Sequence, residues 1–131
     1  GRALTPLEQY TEAIANFDKA IELNPADAQA YTGLAWNLLL DGRPIPALPY
    51  IEQALELEPN PISHHTRGIL LALTGHFDEA VADLQVFVDA YEDSNDTQTL
   101  AIVEKRRDWI AALKAGHDPF TPEVLESLRH E

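Results

Sequence analysis

Residues 28–59 read AQAYTGLAWNLLLDGRPIPALPYIEQALELEP, and this stretch decides the fold. Asp27 offers an N-cap to a run that ends at Asp41-Gly42-Arg43, and Pro59 closes a second run. A glycine just past the last periodic residue is a common helix stop, because the left-handed backbone needed there strains other residues. Inside the two runs, small residues (Ala35, Ala47, Ala54) sit one turn from large ones (Tyr31, Leu34, Leu38, Ile51, Leu55). Helices packed about 8–10 Å apart need small residues where the partner's large side chains enter. The stretch therefore predicts two antiparallel helices. Pro44, Pro46 and Pro49 place the start of the second near Pro46, giving a helix over 46–57. Pro49 then lies in the first turn, where a missing N–H costs little.

Working outward, the same grammar repeats. On the N-terminal side, Thr5-Pro6-Leu7-Glu8 reads as a capped helix start, and Tyr10, Ala13, Ile14, Phe17, Ala20 and Ile21 follow at helical spacing up to Asn24-Pro25. On the C-terminal side, Asn60-Pro61 opens a helix to about Thr74, stopped by Gly75, and Phe77 to Tyr91 forms the next. Glu92 to Asp96 is a polar loop. A long helix is expected over about 97–115, with Leu100, Val103, Ile110 and Leu113 along one stripe. Thr121-Pro122-Glu123 opens a last short helix, with Phe120 expected to staple onto Leu125. The reading is all helix, with no strand.

A shift of 34 or 33 residues lays the chain on itself: Ala13 falls on Ala47 and Ala80, Phe17 on Ile51 and Leu84, Gly42 on Gly75, and Pro25 on Pro59. In the preceding helices Ala35 falls on Gly68 and Leu38 on Leu71. The pattern resembles the tetratricopeptide repeat family over about residues 6–92. The best copy carries Tyr31, Leu34, Ala35, Leu38, Gly42, Ala47, Ile51, Ala54 and Pro59. The third carries Gly68, Leu71, Gly75, Phe77, Ala80 and Leu84, but departs at His64, Arg67, Phe87 and Glu92. The resemblance implies a right-handed α-solenoid of antiparallel helix pairs with C-terminal capping helices. Its expected parts are a partial first repeat over 1–25, a second repeat over 26–60, a divergent third over 61–92 and a cap over 93–131, all in one domain. The cap would supply the polar outer face that such arrays need.

Composition bounds the function. At 131 residues with 45% apolar content, the chain is long enough for a core. No apolar run nears the ~20 residues of a membrane span. There is no Cys, which excludes disulfides, thiolate metal sites and thiol nucleophiles. The net charge of −13 is uneven: residues 1–60 carry −6, 61–96 carry −6 and 97–131 carry −1. Such a surface repels nucleic acid and anionic membranes. The chain lacks Met and begins inside a pattern, so it reads as a segment of a longer protein; a soluble protein is expected, with the cytoplasm favoured.

The resemblance implies a protein-binding groove lined by the first helix of each pair. Carried onto this chain, its residues are Gln29, Thr32, Trp36 and Leu39, then Ile62, His65, Ile69 and Ala72. Trp36 and Leu39 are apolar side chains beyond the packing seam, so an apolar peptide or helix is the expected occupant, with Trp36 as its anchor. Alternatively the chain's own helix at 122–130 covers them through Val124, Leu125 and Leu128. The family's grip on acidic chaperone tails needs Lys, Asn and Arg in the groove; this face has no Lys, so that ligand is rejected. A second function class is self-association, because the stripe Tyr10, Ile14, Phe17 and Ile21 lacks a preceding partner helix; a third is a passive spacer beside a catalytic domain.

No enzyme, cofactor or metal is expected. His64 and His65 point about 100° apart on a helix and cannot chelate together. Asp93 to Glu104 imitates a calcium loop only in part, because Gln98 stands where the turn needs Gly. Lys105-Arg106-Arg107, the one basic cluster, is expected to be a solvated face.

Overall fold

The computed structural model describes residues 6–129. The Thr5 cap and His130 fall outside them. Seven helices account for the secondary structure: α1 (Pro6–Leu23), α2 (Ala28–Leu40), α3 (Pro44–Leu57), α4 (Pro61–Leu73), α5 (Phe77–Tyr91), α6 (Thr97–Lys114) and α7 (Pro122–Leu128), with no strand among the described residues. The fold is all-α, of the helical-repeat solenoid kind.

Local chemistry explains the boundaries. Asp27, Asn60, Asp96 and Thr121 each accept a backbone N–H through the side chain at the start of α2, α4, α6 and α7. Gly42, Gly75 and Gly116 have φ of 79°, 87° and 80°, all left-handed. After each, the next N–H reaches back across the last turn: Arg43 to the Leu38 carbonyl at 2.8 Å, His76 to Leu71 at 2.8 Å, His117 to Ala112 at 2.9 Å. One closing geometry thus serves α2, α4 and α6.

Helix α3 starts two residues earlier than the sequence led us to expect. Pro44 and Pro46 occupy its first turn, where N–H groups have no acceptor in any helix. Pro49 then lies inside the helix and leaves the Ile45 carbonyl without its usual donor; Ile45 is 70% exposed, so water can serve.

The chain divides into two compact units between Pro59 and Asn60. In the first, α1 packs on α2 and α2 on α3. The ring of Phe17 lies over Gly33, where a Cβ would come within 2.4 Å of Cζ. Leu34, Ala35, Leu38, Ala47, Ile51 and Ala54 form the buried seam. Tyr31 and Tyr50 stack beside it, with ring centroids 6.4 Å apart.

In the second unit, α4 packs on α5 and α5 on α6. Residues equidistant from the Gly75 turn face each other, so α4 and α5 are antiparallel. Arg67 meets Asp83, and Gly68 meets Ala80 and Leu84. A Cβ on Gly68 would lie 2.9 Å from Leu84 Cγ and 3.2 Å from the Ala80 carbonyl oxygen. Leu84 is fully buried and the carbonyl is fixed in α5. Gly68→Ala is therefore expected to destabilise: overpacking costs about 1–3 kcal/mol, against about 1 kcal/mol gained in helix propensity. Urea unfolding should show a net loss of roughly 1 kcal/mol.

The buried stripe of α6 differs from the expected one. Val103, Ile110 and Leu113 are buried as expected, but Leu100 is 38% exposed. Between Val103 and Ile110 the stripe is completed by Arg106, only 1% exposed. The basic cluster is thus no solvated face. Lys105 and Arg107 point outward, Arg107 pairing with Glu92 at 3.2 Å, while Arg106 is a core residue.

Candidate functional site

On α2, three of the four expected groove residues remain accessible. Gln29 is exposed, and Thr32 and Trp36 are half-buried. Their spacing puts them on one side of the helix. Leu39, the fourth, is buried. Local bonds fix this helix: Asp27 Oδ1 accepts the Ala30 N–H at 3.2 Å, and Asn37 Nδ2 donates to the Gly33 carbonyl at 2.8 Å.

On α4 the outcome is different. His65, Ile69 and Ala72 are all buried, and only Ile62 is exposed. Steric and polar reasons are visible for His65. Its Nε2 accepts a hydrogen bond from Arg106 Nε at 2.9 Å, and its ring lies 4.5 Å from that of Phe87. Because Nε2 accepts, the proton of the neutral ring sits on Nδ1. Burial, and then the neighbouring Arg106 charge, push the His65 pKa down from 6.5 to about 3.

Arg106 in turn lies 4.1 Å above the centre of the Trp109 ring, and Trp109 packs edge-on against Phe120 at 4.9 Å. Phe120, expected against Leu125, thus has its ring on Trp109. With Tyr91 5.0 Å from Phe87, a continuous ladder runs Tyr91, Phe87, His65, Arg106, Trp109, Phe120. It joins α4, α5, α6 and the segment before α7. Leu128 of α7 is also buried, with Val124 and Leu125 half-buried.

A second polar cluster explains the departures at His64 and Arg67. Asp83, 4% exposed, accepts from Arg67 Nε at 2.7 Å and Nη2 at 2.8 Å, and from His64 Nδ1 at 2.9 Å. An ion pair thus accompanies the apolar contact of Gly68 with Ala80 and Leu84 between α4 and α5. Sequence reasoning missed both Asp83 and Arg106. A signal existed for each: Arg106 falls three after Val103 and four before Ile110, and Asp83 lies three after Ala80.

The α1 stripe is covered in part. Phe17 packs on Gly33, yet Tyr10, Ile14, Phe17 and Ile21 are all only half-buried. An open hollow of about 630 Å³ lies between α1 and α3, lined by Ala15, Asp18, Lys19, Ile21, Glu22 and Tyr50. No expected groove residue lines it.

Asp96 caps α6, accepting from Thr99 Oγ1 at 2.7 Å and from the Gln98 N–H, and these bonds hold its carboxyl below the usual range. Residues 97–104, the last eight of the twelve in the calcium-like stretch, are helical. No group of three or more metal-ligating side chains converges among the described residues. No helix among them is long and apolar enough to cross a membrane.

Two family models match the chain: a TPR repeat over residues 1–36 and a tetratricopeptide repeat over residues 28–61. A search of curated proteins finds no match. Repeats of this family generally mediate protein–protein interaction or scaffolding and are typically non-enzymatic. The helix pair α2–α3, its glycine turn and its small-residue seam coincide with the second match, and α1 with most of α2 falls within the first: residues 1–61 of the chain carry the matched tetratricopeptide repeats.

Proposed function

We propose that this protein is an interaction module whose partner-binding surface lies on α2, built from Gln29, Thr32 and Trp36. The observation that carries the reading is Trp36, a large aromatic residue left half-buried on a repeat helix whose leucines Leu34, Leu38, Leu39 and Leu40 are buried. Aromatic side chains of this kind anchor interfaces because they bury much area with little loss of rotamer freedom. The partner is an apolar peptide or helix. Leu39, His65, Ile69 and Ala72, all buried, are left out of this surface.

Peptides selected from a random-sequence library on the immobilised protein test the reading. Trp36→Ala should weaken the selected peptides at least tenfold, while Val86→Ser, at an exposed site on α5, should leave them unchanged. Equal affinity for the Trp36→Ala protein would remove α2 from the reading.

Self-association is the second reading, favoured by the incomplete burial of Tyr10, Ile14, Phe17 and Ile21 within one chain. An isologous dimer through α1 would cover them. Light scattering over a range of concentrations separates the two: a mass that rises with concentration, and that Ile14→Glu abolishes, supports the dimer.

A further inference from the structure

Helix α7 and the segment before it close over α6 without being needed to finish it. The end of α6 is complete at Gly116, which donates to the Leu113 carbonyl at 3.0 Å and whose φ of 80° lets His117 donate back to Ala112 at 2.9 Å. Residues 115–118 are exposed, so the chain leaves α6 through solvent. Beyond them the segment carries its own caps. Asp118 Oδ1 accepts the Phe120 N–H at 2.9 Å, Thr121 Oγ1 accepts the Val124 N–H at 3.2 Å, and the Thr121 carbonyl accepts the Leu125 N–H at 3.0 Å. The segment is thus a self-capped unit on an open hinge.

With seven residues, α7 is far shorter than the ~12–15 at which an isolated helix is marginal, so its order comes from what it touches. Its two deep anchors are Phe120, edge-on against Trp109, and Leu128, which is fully buried. Val124 and Leu125 are half-buried, while Glu123, Glu126 and Ser127 face solvent. The segment is therefore amphipathic, with an aromatic residue followed by apolar ones four, five and eight places on. Below the Phe120 ring lies Trp109, itself buried and stacked with Arg106. We propose that α7 is a displaceable strap: it occupies a face of α6, centred on Trp109, that takes an amphipathic helix of a partner protein with the same apolar pattern. The occupant's chemistry is read from α7, which already sits there. A longer helix with that pattern makes more contacts than seven residues can, and so displaces it.

The test uses the full chain and a fluorescein-labelled peptide of residues 117–129. On the native chain the resident α7 competes, which lowers the apparent affinity by the fraction of chains that are open. Leu128→Glu in the chain removes one anchor of the resident strap and should tighten the peptide about tenfold or more. Phe120→Ser, at the other anchor, should tighten it as well. A peptide that itself carries Leu128→Glu should bind neither variant. Trp36→Ala should leave the affinity unchanged, so this proposal and the α2 surface fail separately. In the native chain, hydrogen exchange at Leu125 and Leu128 should run about a hundredfold faster than at Val103 and Ile110, because the strap opens without the rest of the unit.

Equal protection of α7 and α6 would overturn the proposal, as would a folded Leu128→Glu or Phe120→Ser chain that binds the peptide no more tightly than the native one. Loss of protection throughout α4–α6 in both variants would also overturn it, because α7 would then be part of the core. So would a native dimer that Leu128→Glu dissociates, since the α7 of a second copy would then fill the face.

Discussion

Arg106→Ala is expected to be the most damaging single substitution in the second unit, with a loss of about 3–5 kcal/mol in unfolding free energy. Three effects add in the same direction. The hydrogen bond from Arg106 Nε to His65 Nε2 disappears. The stack on Trp109 is lost. A side chain only 1% exposed leaves a void between α6 and α4. Arg106→Met separates them, because it restores most of the volume without the donor. An unsatisfied His65 acceptor costs about 1–3 kcal/mol, so this variant should recover about half the loss. Arg106→Lys keeps the charge but not the flat cation over Trp109, and should fall between the two. Urea unfolding with hydrogen exchange on α4 and α6 provides the measurement; protection lost in α1–α3 alone would contradict the assignment of Arg106 to the second unit's core.

Acid should weaken the same unit through His65. The folded-state pKa, about 3, lies below the unfolded value of 6.5, so the folded state binds fewer protons between them. The stability this neutral histidine contributes is therefore fully present above pH 6.5 and is lost as pH falls toward 3. The slope approaches about 1.4 kcal/mol per pH unit, which makes the loss about 2–3 kcal/mol by pH 4.5. His65→Gln keeps an acceptor for Arg106 but cannot take up the proton. The difference in stability between the native chain and this variant should shrink steadily as pH falls from 6.5. A difference independent of pH would mean that His65 becomes charged without loss, and that the ladder accommodates the imidazolium.

Much of this architecture was legible in residues. Gly42 and Gly75 gave the turns because only a left-handed position recurs as glycine, and Asp27, Asn60 and Thr121 gave the starts because their side chains bond the first free N–H groups. What was not legible follows from one cause: periodicity ranks residues by hydrophobicity, and the second unit buries polar ones. Arg106 sat on the α6 stripe at the right spacing and was discounted for its charge. His64 and Arg67 stood out as departures, but their partner Asp83 was one acid among 22, and nothing in one dimension pairs them. The α3 start shifted because three prolines fix φ without fixing the first residue of a helix.

The same polarity separates the two units by role. In the first, α2 keeps Trp36 within reach of solvent, and in the second the equivalent helix face is closed by His65, Ile69 and Ala72. The proposed binding surface thus lies in the first unit, and the ladder around Arg106 holds the second together.

A residue-by-residue NMR map of a selected peptide bound to the full chain tests that division most directly. Shifted amides are expected on α2 around Gln29, Thr32 and Trp36, with α4 from His65 to Ala72 unmoved. Shifts centred on His65, Ile69 and Ala72, with α2 silent, would contradict it.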